Sequence, residues 1–352
     1  MAFEDRVDEL AAEVEGADER AAHQARERHG ALAKPPGSLG ELERLGQRLA
    51  GSAGECPPPL VGAPAVVIAA GDHGVLERGV SPWPAEVTAS MVQNFCAGGA
   101  AANSLAKTAG ARVTVLDVGV ATELPRHPML RSAKVRPGTS DMSREGAMSR
   151  EEAARAVMAG SGVAEELIES GGVDLLVPGD MGIGNTTPAA ALISVFSDVR
   201  PEEITGRGTG VDDDTLSLKV RVIEEALALH EPDPGDPLGV LAAVGGLEHA
   251  ALAGLILTGA VYRIPVVLDG VSTVASALAA RAFAPECVDH MFAGHLSSEP
   301  GCAAGLESLG LSPLLELDMR LGEGTGGLLA VPLVQSAARV LSEMATLEEI
   351  GA

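Results

Sequence analysis

The chain has 352 residues, with 25 Lys plus Arg against 49 Asp plus Glu and a formal net charge of −24. At roughly 150 residues per domain, this length allows two domains or one large α/β unit with an appendage. Hydrophobic residues make up 46%, which excludes disorder, while 2% aromatics and an acidic balance exclude a nucleic-acid partner and an anionic membrane surface.

The stretch 1–28 is charged and has no apolar signal core. Residues 1 to about 50 have apolar positions at helical spacing, interrupted at Lys34-Pro35-Pro36-Gly37-Ser38-Leu39-Gly40, where paired prolines forbid a continuous helix. Ser38 is expected to cap a following helix that carries Leu39, Leu42 and Leu45 on one face.

From about Pro57 the rhythm changes to short apolar runs, each followed by a Gly-rich turn and a helical stretch. The runs are 65–69, 113–117, 174–177 and 266–269. Continuous apolar strands alternating with helices predict an α/β fold, a parallel sheet with helices on both faces and a ligand site at the carboxyl ends of its strands. The longest apolar run, Ala250 to Tyr262, is shorter than the roughly 20 residues of a membrane crossing. Cys56, Cys96, Cys287 and Cys302 are far apart with no C-x-x-C pair, so reduced thiols in a soluble cytoplasmic protein are expected. Leu328 to about Glu349 reads as one long amphipathic helix that returns to the N-terminal helices. The expected division is a small helical subdomain, 1–55 with 336–352, and a large α/β domain, 56–335.

Five loops carry the chemistry. Asp72 and His73 end the first run, where a structural turn and a functional site are equally open; metal binding is not expected, because no second ligand stands at the right spacing. Next, Trp83, the only tryptophan, sits between Pro82 and Pro84 ahead of a helix bearing Met91 and Phe95. A rigidly held ring there suits a flat apolar ligand, and closure of the core is the equal alternative.

In the third loop, Asp180-Met181-Gly182-Ile183-Gly184-Asn185-Thr186-Thr187-Pro188 leads into an Ala-rich helix, with Thr187 expected as its cap and Pro188 as its first residue. Glycines beside free amides at a helix start suit a phosphate; the spacing matches neither a dinucleotide nor a Walker fingerprint. The fourth loop brings Asp212, Asp213 and Asp214 to the start of a helix carrying Lys219, one of four lysines. Helix capping is the favoured reading of those aspartates over a divalent-metal site or a ribose-binding acidic loop. In the fifth loop, Glu323 stands between Gly322 and Gly324. A carboxylate bared in this way can accept a proton from a heterocyclic N–H, or it can cap helix amides.

Taken together, these residues resemble a known family. Lys-Pro-Pro-Gly-Ser-Leu-Gly (34–40), Asp-His-Gly-Val (72–75), Glu-Val-Thr (86–88), Gly-Ile-Gly-Asn-Thr-Thr-Pro (182–188), Gly-Thr-Gly-Val-Asp-Asp (208–213), Leu-Asp-Gly (268–270), His-Leu-Ser (295–297) and Arg-Leu-Gly-Glu-Gly-Thr-Gly (320–326) are collinear over nearly the whole chain. They are similar to the motifs of the nicotinate-nucleotide–dimethylbenzimidazole phosphoribosyltransferases. The resemblance implies a Rossmann-like sheet, a homodimer, and transfer of phosphoribose from nicotinate mononucleotide to 5,6-dimethylbenzimidazole with inversion at the anomeric carbon.

It further implies that Glu323 is the general base and that Lys219, Arg320 and the backbone of Gly182, Gly184 and Asn185, with Thr186 and Ser297, bind phosphate and ribose. Trp83 and Met91 fall at the benzimidazole pocket, and no metal or redox cofactor is implied. The chain departs from the family at Asp180, a second candidate catalytic carboxylate that would assist departure of nicotinate or orient the ribose and where a glutamate is common, and at Trp83, where other members carry smaller or differently shaped residues. Transfer to adenine or another azole, a silent nucleotide-binding protein, and a metal enzyme using the three aspartates are the alternatives.

Overall fold

The computed structural model describes residues 2–351; Met1 and Ala352, the end residues of the expected helical subdomain, lie outside the described residues. The N-terminal segment forms α1 (Phe3–Ala12), α2 (Glu19–Ala31) and α3 (Glu41–Ala53). A break after α1 lets Asp18 cap α2 by accepting the Ala21 amide at 2.8 Å.

Ser38 does not cap α3. Its own amide is drawn back to the Pro35 carbonyl at 3.1 Å, and Gly40 takes the cap position with a left-handed φ of 55°. The capping oxygen comes instead from inside the helix, where Glu43 Oε1 accepts the Leu39 amide at 3.1 Å and the Lys34 ammonium at 2.7 Å. Leu39 therefore lies outside the helix and exposed, while Leu45 is buried.

Next in the chain come β1 (Pro64–Gly71), α4 (Glu86–Ala97), α5 (Ala101–Ala109), β2 (Arg112–Gly119), β3 (Leu130–Ser132), α6 (Arg150–Glu165) and β4 (Leu175–Met181). They are followed by α7 (Thr186–Ser197), the short α8 (Pro201–Ile204), α9 (Asp213–His230), α10 (Pro237–Val244) and α11 (Leu247–Val261). The chain then runs through β5 (Val266–Leu268), α12 (Val271–Phe283), β6 (Met291–Ala293), β7 (His295–Leu296), α13 (Pro300–Leu309), β8 (Leu315–Glu316) and α14 (Thr325–Glu343).

The main sheet has the order β3-β2-β1-β4-β5-β6, and every pairing is parallel. β1 shows why its sequence is apolar without alternation. Ala65, Val67 and Ala69 enter one core with α6, α7, α10, α11 and α12, and Val66, Ile68 and Ala70 enter a second with α3, α4, α5 and α14. Each Val or Ile fully buried in this way contributes roughly 1.5–3 kcal/mol.

The Ala250 to Tyr262 run lies in α11 as far as Val261, with Tyr262 as its C-cap; the helix is buried from Leu247 to Ala260 and is a core helix. Among the described residues, no helix is long and apolar enough to cross a membrane. α14 starts earlier and ends sooner than its sequence pattern predicts. After Glu343 the chain turns extended, and Thr346 bridges Leu32 in antiparallel fashion, which returns the C-terminal segment to the end of α2.

Candidate active site

Parallel strands place their carboxyl ends on one edge, and the order of the sheet reverses between β1 and β4. A cleft opens on this edge, where a parallel sheet of this kind takes its ligand. It brings together Asp180, Gly182, Gly184, Asn185 and Thr186 from the β4–α7 turn with Lys219 of α9. Ser297 and Arg320 complete the set expected from sequence on this side.

The turn is built tightly. The Asn185 amide donates to the Gly182 carbonyl at 3.1 Å and the Thr187 amide to that of Gly184 at 3.1 Å, so helical geometry is reached by Thr186. Thr187 is therefore not the cap expected of it but a buried first-turn residue, and Pro188 is the third helical residue. Asn185 holds the cap position without capping, because its Nδ2 donates to Asp180 Oδ2. With no side chain capping α7, the Thr186 amide at its start is left for a ligand. A Cβ on Gly182 would lie 2.8 Å from His73 Nε2, so only glycine lets this turn rest on that imidazole.

Lys219 is 1% exposed, rare for a lysine. Its ammonium donates to Thr186 Oγ1 at 2.9 Å and to the Gly206 carbonyl at 2.7 Å. Burial pushes its pKa down to about 8, partly opposed by the Glu299 carboxylate. The aspartate run behaves as a cap: Asp212 Oδ1 accepts the Thr215 amide at 2.9 Å at the start of α9. Among the described residues, no group of three or more His, Cys, Asp and Glu side chains is arranged to hold a metal ion.

Glu323, Trp83 and Met91 do not line this cleft. Glu323 is 5% exposed, and its Oε2 accepts the Ala102 amide at the start of α5 at 3.4 Å. Its backbone lies directly on β4, since a Cβ on Gly179 would stand 2.8 Å from its carbonyl carbon. Burial raises the Glu323 carboxyl pKa, the Ala102 amide opposes, and the negative charges of Asp180 and Asp269 add to the rise.

Asp180 stands between the two regions. It lines the cleft, and a Cβ on Gly322 would fall 3.3 Å from its Oδ1. Burial raises its carboxyl pKa too, with His249 pulling the other way. Trp83 is 51% exposed in the loop before α4, and Met91 is partly buried against the core shared by α4, α5 and α14. α4 is tied to the cleft by Thr88 Oγ1, which accepts the Ile183 amide at 3.1 Å.

Three features escape the sequence reading. Glu299 lines the cleft, buried, with Oε1 accepting the Gly208 amide at 2.8 Å. Asp269, at the end of β5, accepts the amides of Gly324 and Gly326. Beneath Gly182, Glu248 Oε1 lies 2.9 Å from both His73 Nε2 and His249 Nδ1. The strand-end position of His73 and Asp269 was a signal for both, whereas Glu248 and His249 open an otherwise apolar helix and gave none.

A family model described as a phosphoribosyltransferase matches residues 14–351. A Salinispora tropica protein named nicotinate-nucleotide–dimethylbenzimidazole phosphoribosyltransferase is 55% identical over 348 residues, covering 95% of this chain and 95% of its own. A Thermus thermophilus relative of the same name is 52% identical across 93% of this chain and 97% of its own. The crystal structure of CobT from Thermus thermophilus superposes with a TM-score of 0.91 at 51% identity, over 95% of this chain and 99% of that one. Identity at this level over nearly the full length, on the same parallel α/β frame, establishes that the chain belongs to the nicotinate-nucleotide–dimethylbenzimidazole phosphoribosyltransferase family.

Proposed function

We propose that the protein transfers the phosphoribosyl group of nicotinate mononucleotide to 5,6-dimethylbenzimidazole, giving α-ribazole 5'-phosphate and nicotinate, with Glu323 as the general base. The observation that carries this reading is the placement of Glu323. It is a buried carboxylate one residue beyond Gly322 of the cleft wall, separated by Asp180 from the cationic end of the cleft at Lys219.

In this reading the Lys219 ammonium and the amides of Gly184 and Thr186 hold the 5'-phosphate. Asp180, kept in place by Asn185, orients the ribose, and Ser297 and Arg320 complete the nucleotide subsite. The azole lies on the side of α4 near Trp83 and Met91. Its pyridine-type nitrogen attacks the anomeric carbon as the glycosidic bond to nicotinate breaks, and the bonding pair returns to the pyridinium nitrogen. The proton on the other azole nitrogen passes to Glu323. Entry opposite the leaving group turns β into α, and holding both rings in reach supplies most of the acceleration. A carboxyl pKa raised by burial makes Glu323 a stronger base than a free glutamate. The reaction is redox-neutral and needs no metal.

The reading extends to a cytoplasmic homodimer, with residues 1–55 and 336–352 as a helical subdomain on the large α/β domain. Product identification decides the main point. With both substrates, one nicotinate should be released for each α-nucleotide formed. Nucleotide binding by calorimetry with no transfer to any azole would leave a silent nucleotide-binding protein, and transfer to adenine alone would change the acceptor. Loss of transfer in EDTA would restore the metal alternative at Asp212, Asp213 and Asp214.

A further inference from the structure

We propose that Asp269 is the positioning residue for Glu323, acting through the backbone on both sides of it. This rests on the reading of Glu323 as the base. Residues 322–324 have φ values of 82°, 62° and 78°, a run of left-handed backbone in which Glu323 is the only residue with a side chain. For a non-glycine this conformation costs roughly 1–2 kcal/mol and persists only where the surroundings impose it.

Asp269 imposes it. Its Oδ2 accepts the Gly324 amide at 2.9 Å and its Oδ1 the Gly326 amide at 2.7 Å. The carboxylate is 1% exposed and is itself anchored to the sheet, since it follows β5 directly and its own amide donates to Thr273 Oγ1 at 2.9 Å. His295 Nε2 lies 3.1 Å from Oδ1, with its ring packed against Gly326. Within the loop, the Thr325 amide and hydroxyl donate to the Gly322 carbonyl at 3.0 and 2.7 Å as a further brace. That brace ties the loop only to itself. Asp269 fixes the loop to the end of β5, while the Ala102 amide meets the carboxylate itself at 3.4 Å, so Asp269 sets the backbone from which Glu323 reaches that amide.

Ordinary helix capping would account for the same two hydrogen bonds, so the test must separate a stabiliser of α14 from a residue that acts through Glu323. Asp269→Asn keeps the shape, but its Nδ2 cannot accept an amide N–H. The measurement is a double-mutant cycle with Glu323→Gln, read as kcat and as KM for nicotinate mononucleotide.

The expected result is a loss in kcat on the order of 10²-fold for Asp269→Asn, the scale of a 1 Å misplacement, with KM for the nucleotide changed less than about threefold. In the Glu323→Gln background the same substitution should lower kcat by less than about twofold, because the group it positions is already gone. An equal loss in both backgrounds, or a rise in nucleotide KM with kcat intact, overturns the proposal and leaves the base assignment standing. Undiminished turnover in Glu323→Gln alone overturns both. If Asp269→Asn does not fold, His295→Gln carries the test. It should lower kcat by about 2- to 5-fold, the scale of one weak polar contact, and only when Glu323 is present; a loss that survives in Glu323→Gln overturns the proposal.

Discussion

The Lys219 ammonium donates to the Thr186 hydroxyl at 2.9 Å, which binds the second turn of α9 to the first residue of α7 across the cleft. The cation is thus fixed before a ligand arrives, and burial has already weakened its hold on its proton, with a pKa of about 8. Lys219→Met should raise KM for nicotinate mononucleotide by roughly 10- to 100-fold, the scale of a charged hydrogen bond. Affinity for the nucleotide should be level below pH 8 and fall above it, as the free enzyme loses the ammonium. A bound phosphate restores the charge, so calorimetry near pH 8 in buffers of different ionisation enthalpy should register proton uptake. No uptake would separate Lys219 from the phosphate.

Glu323→Gln should lower kcat by about 10²- to 10⁴-fold with little change in nucleotide KM. Since burial, seconded by Asp180 and Asp269, raises the Glu323 pKa, the acid limb of kcat should lie above that of a free glutamate. Turnover needs the ionised form and should fall as pH drops through that raised value. An acid limb at the ordinary glutamate position would show that Glu323 is not the titrating group.

The buried His73–Glu248–His249 cluster bears on stability. Both imidazoles meet Glu248 at 2.9 Å, at ion-pair distance and without the alignment of a hydrogen bond. Burial alone would raise the Glu248 pKa, but the charges of His73 and His249 outweigh it and hold it low. At His73, burial would lower the pKa, and Glu248 outweighs it and raises it. Glu248→Gln should cost about 3–5 kcal/mol, read as a fall in Tm. The depressed carboxyl contributes fully above its unfolded value of 4.5 and the raised imidazole fully below its unfolded value of 6.5, so the pair stabilises most between those limits. The Tm difference between wild type and Glu248→Gln should be largest there and shrink as pH rises through the folded value for His73.

Trp83→Ala tests the acceptor side. With half its surface in solvent, the ring contributes little to the fold, and Tm should barely move. KM for dimethylbenzimidazole should rise by about 3- to 10-fold, the worth of one aromatic contact, while KM for the nucleotide stays level. Equal effects on both substrates would remove Trp83 from the azole site.

Much of the frame was legible because β1, β2, β4 and β5 are buried on both faces, which forces continuous apolar runs into the sequence. β3, Leu-Arg-Ser, is partly exposed, and β7 and β8 have two residues each, so none of them leaves an apolar run. The cleft was legible for a similar reason: glycines at 182 and 184 and around Glu323 are where backbone must approach a neighbour closely. Ser38 and Thr187 misled because capping was settled by groups that local sequence does not reveal. In α3 the oxygen came from Glu43, and in α7 the cap residue had been drawn away by Asp180. Asp269 and Glu248 share that obscurity, since each acts on partners far along the chain.

The single tryptophan has a practical consequence. Standing half in solvent on the loop before α4, away from every other indole, Trp83 makes the molecule its own fluorophore at one known place. A planar azole settling against that ring should quench and shift its emission, so occupancy could be followed label-free in a stopped-flow cuvette, independently of whether any bond is made.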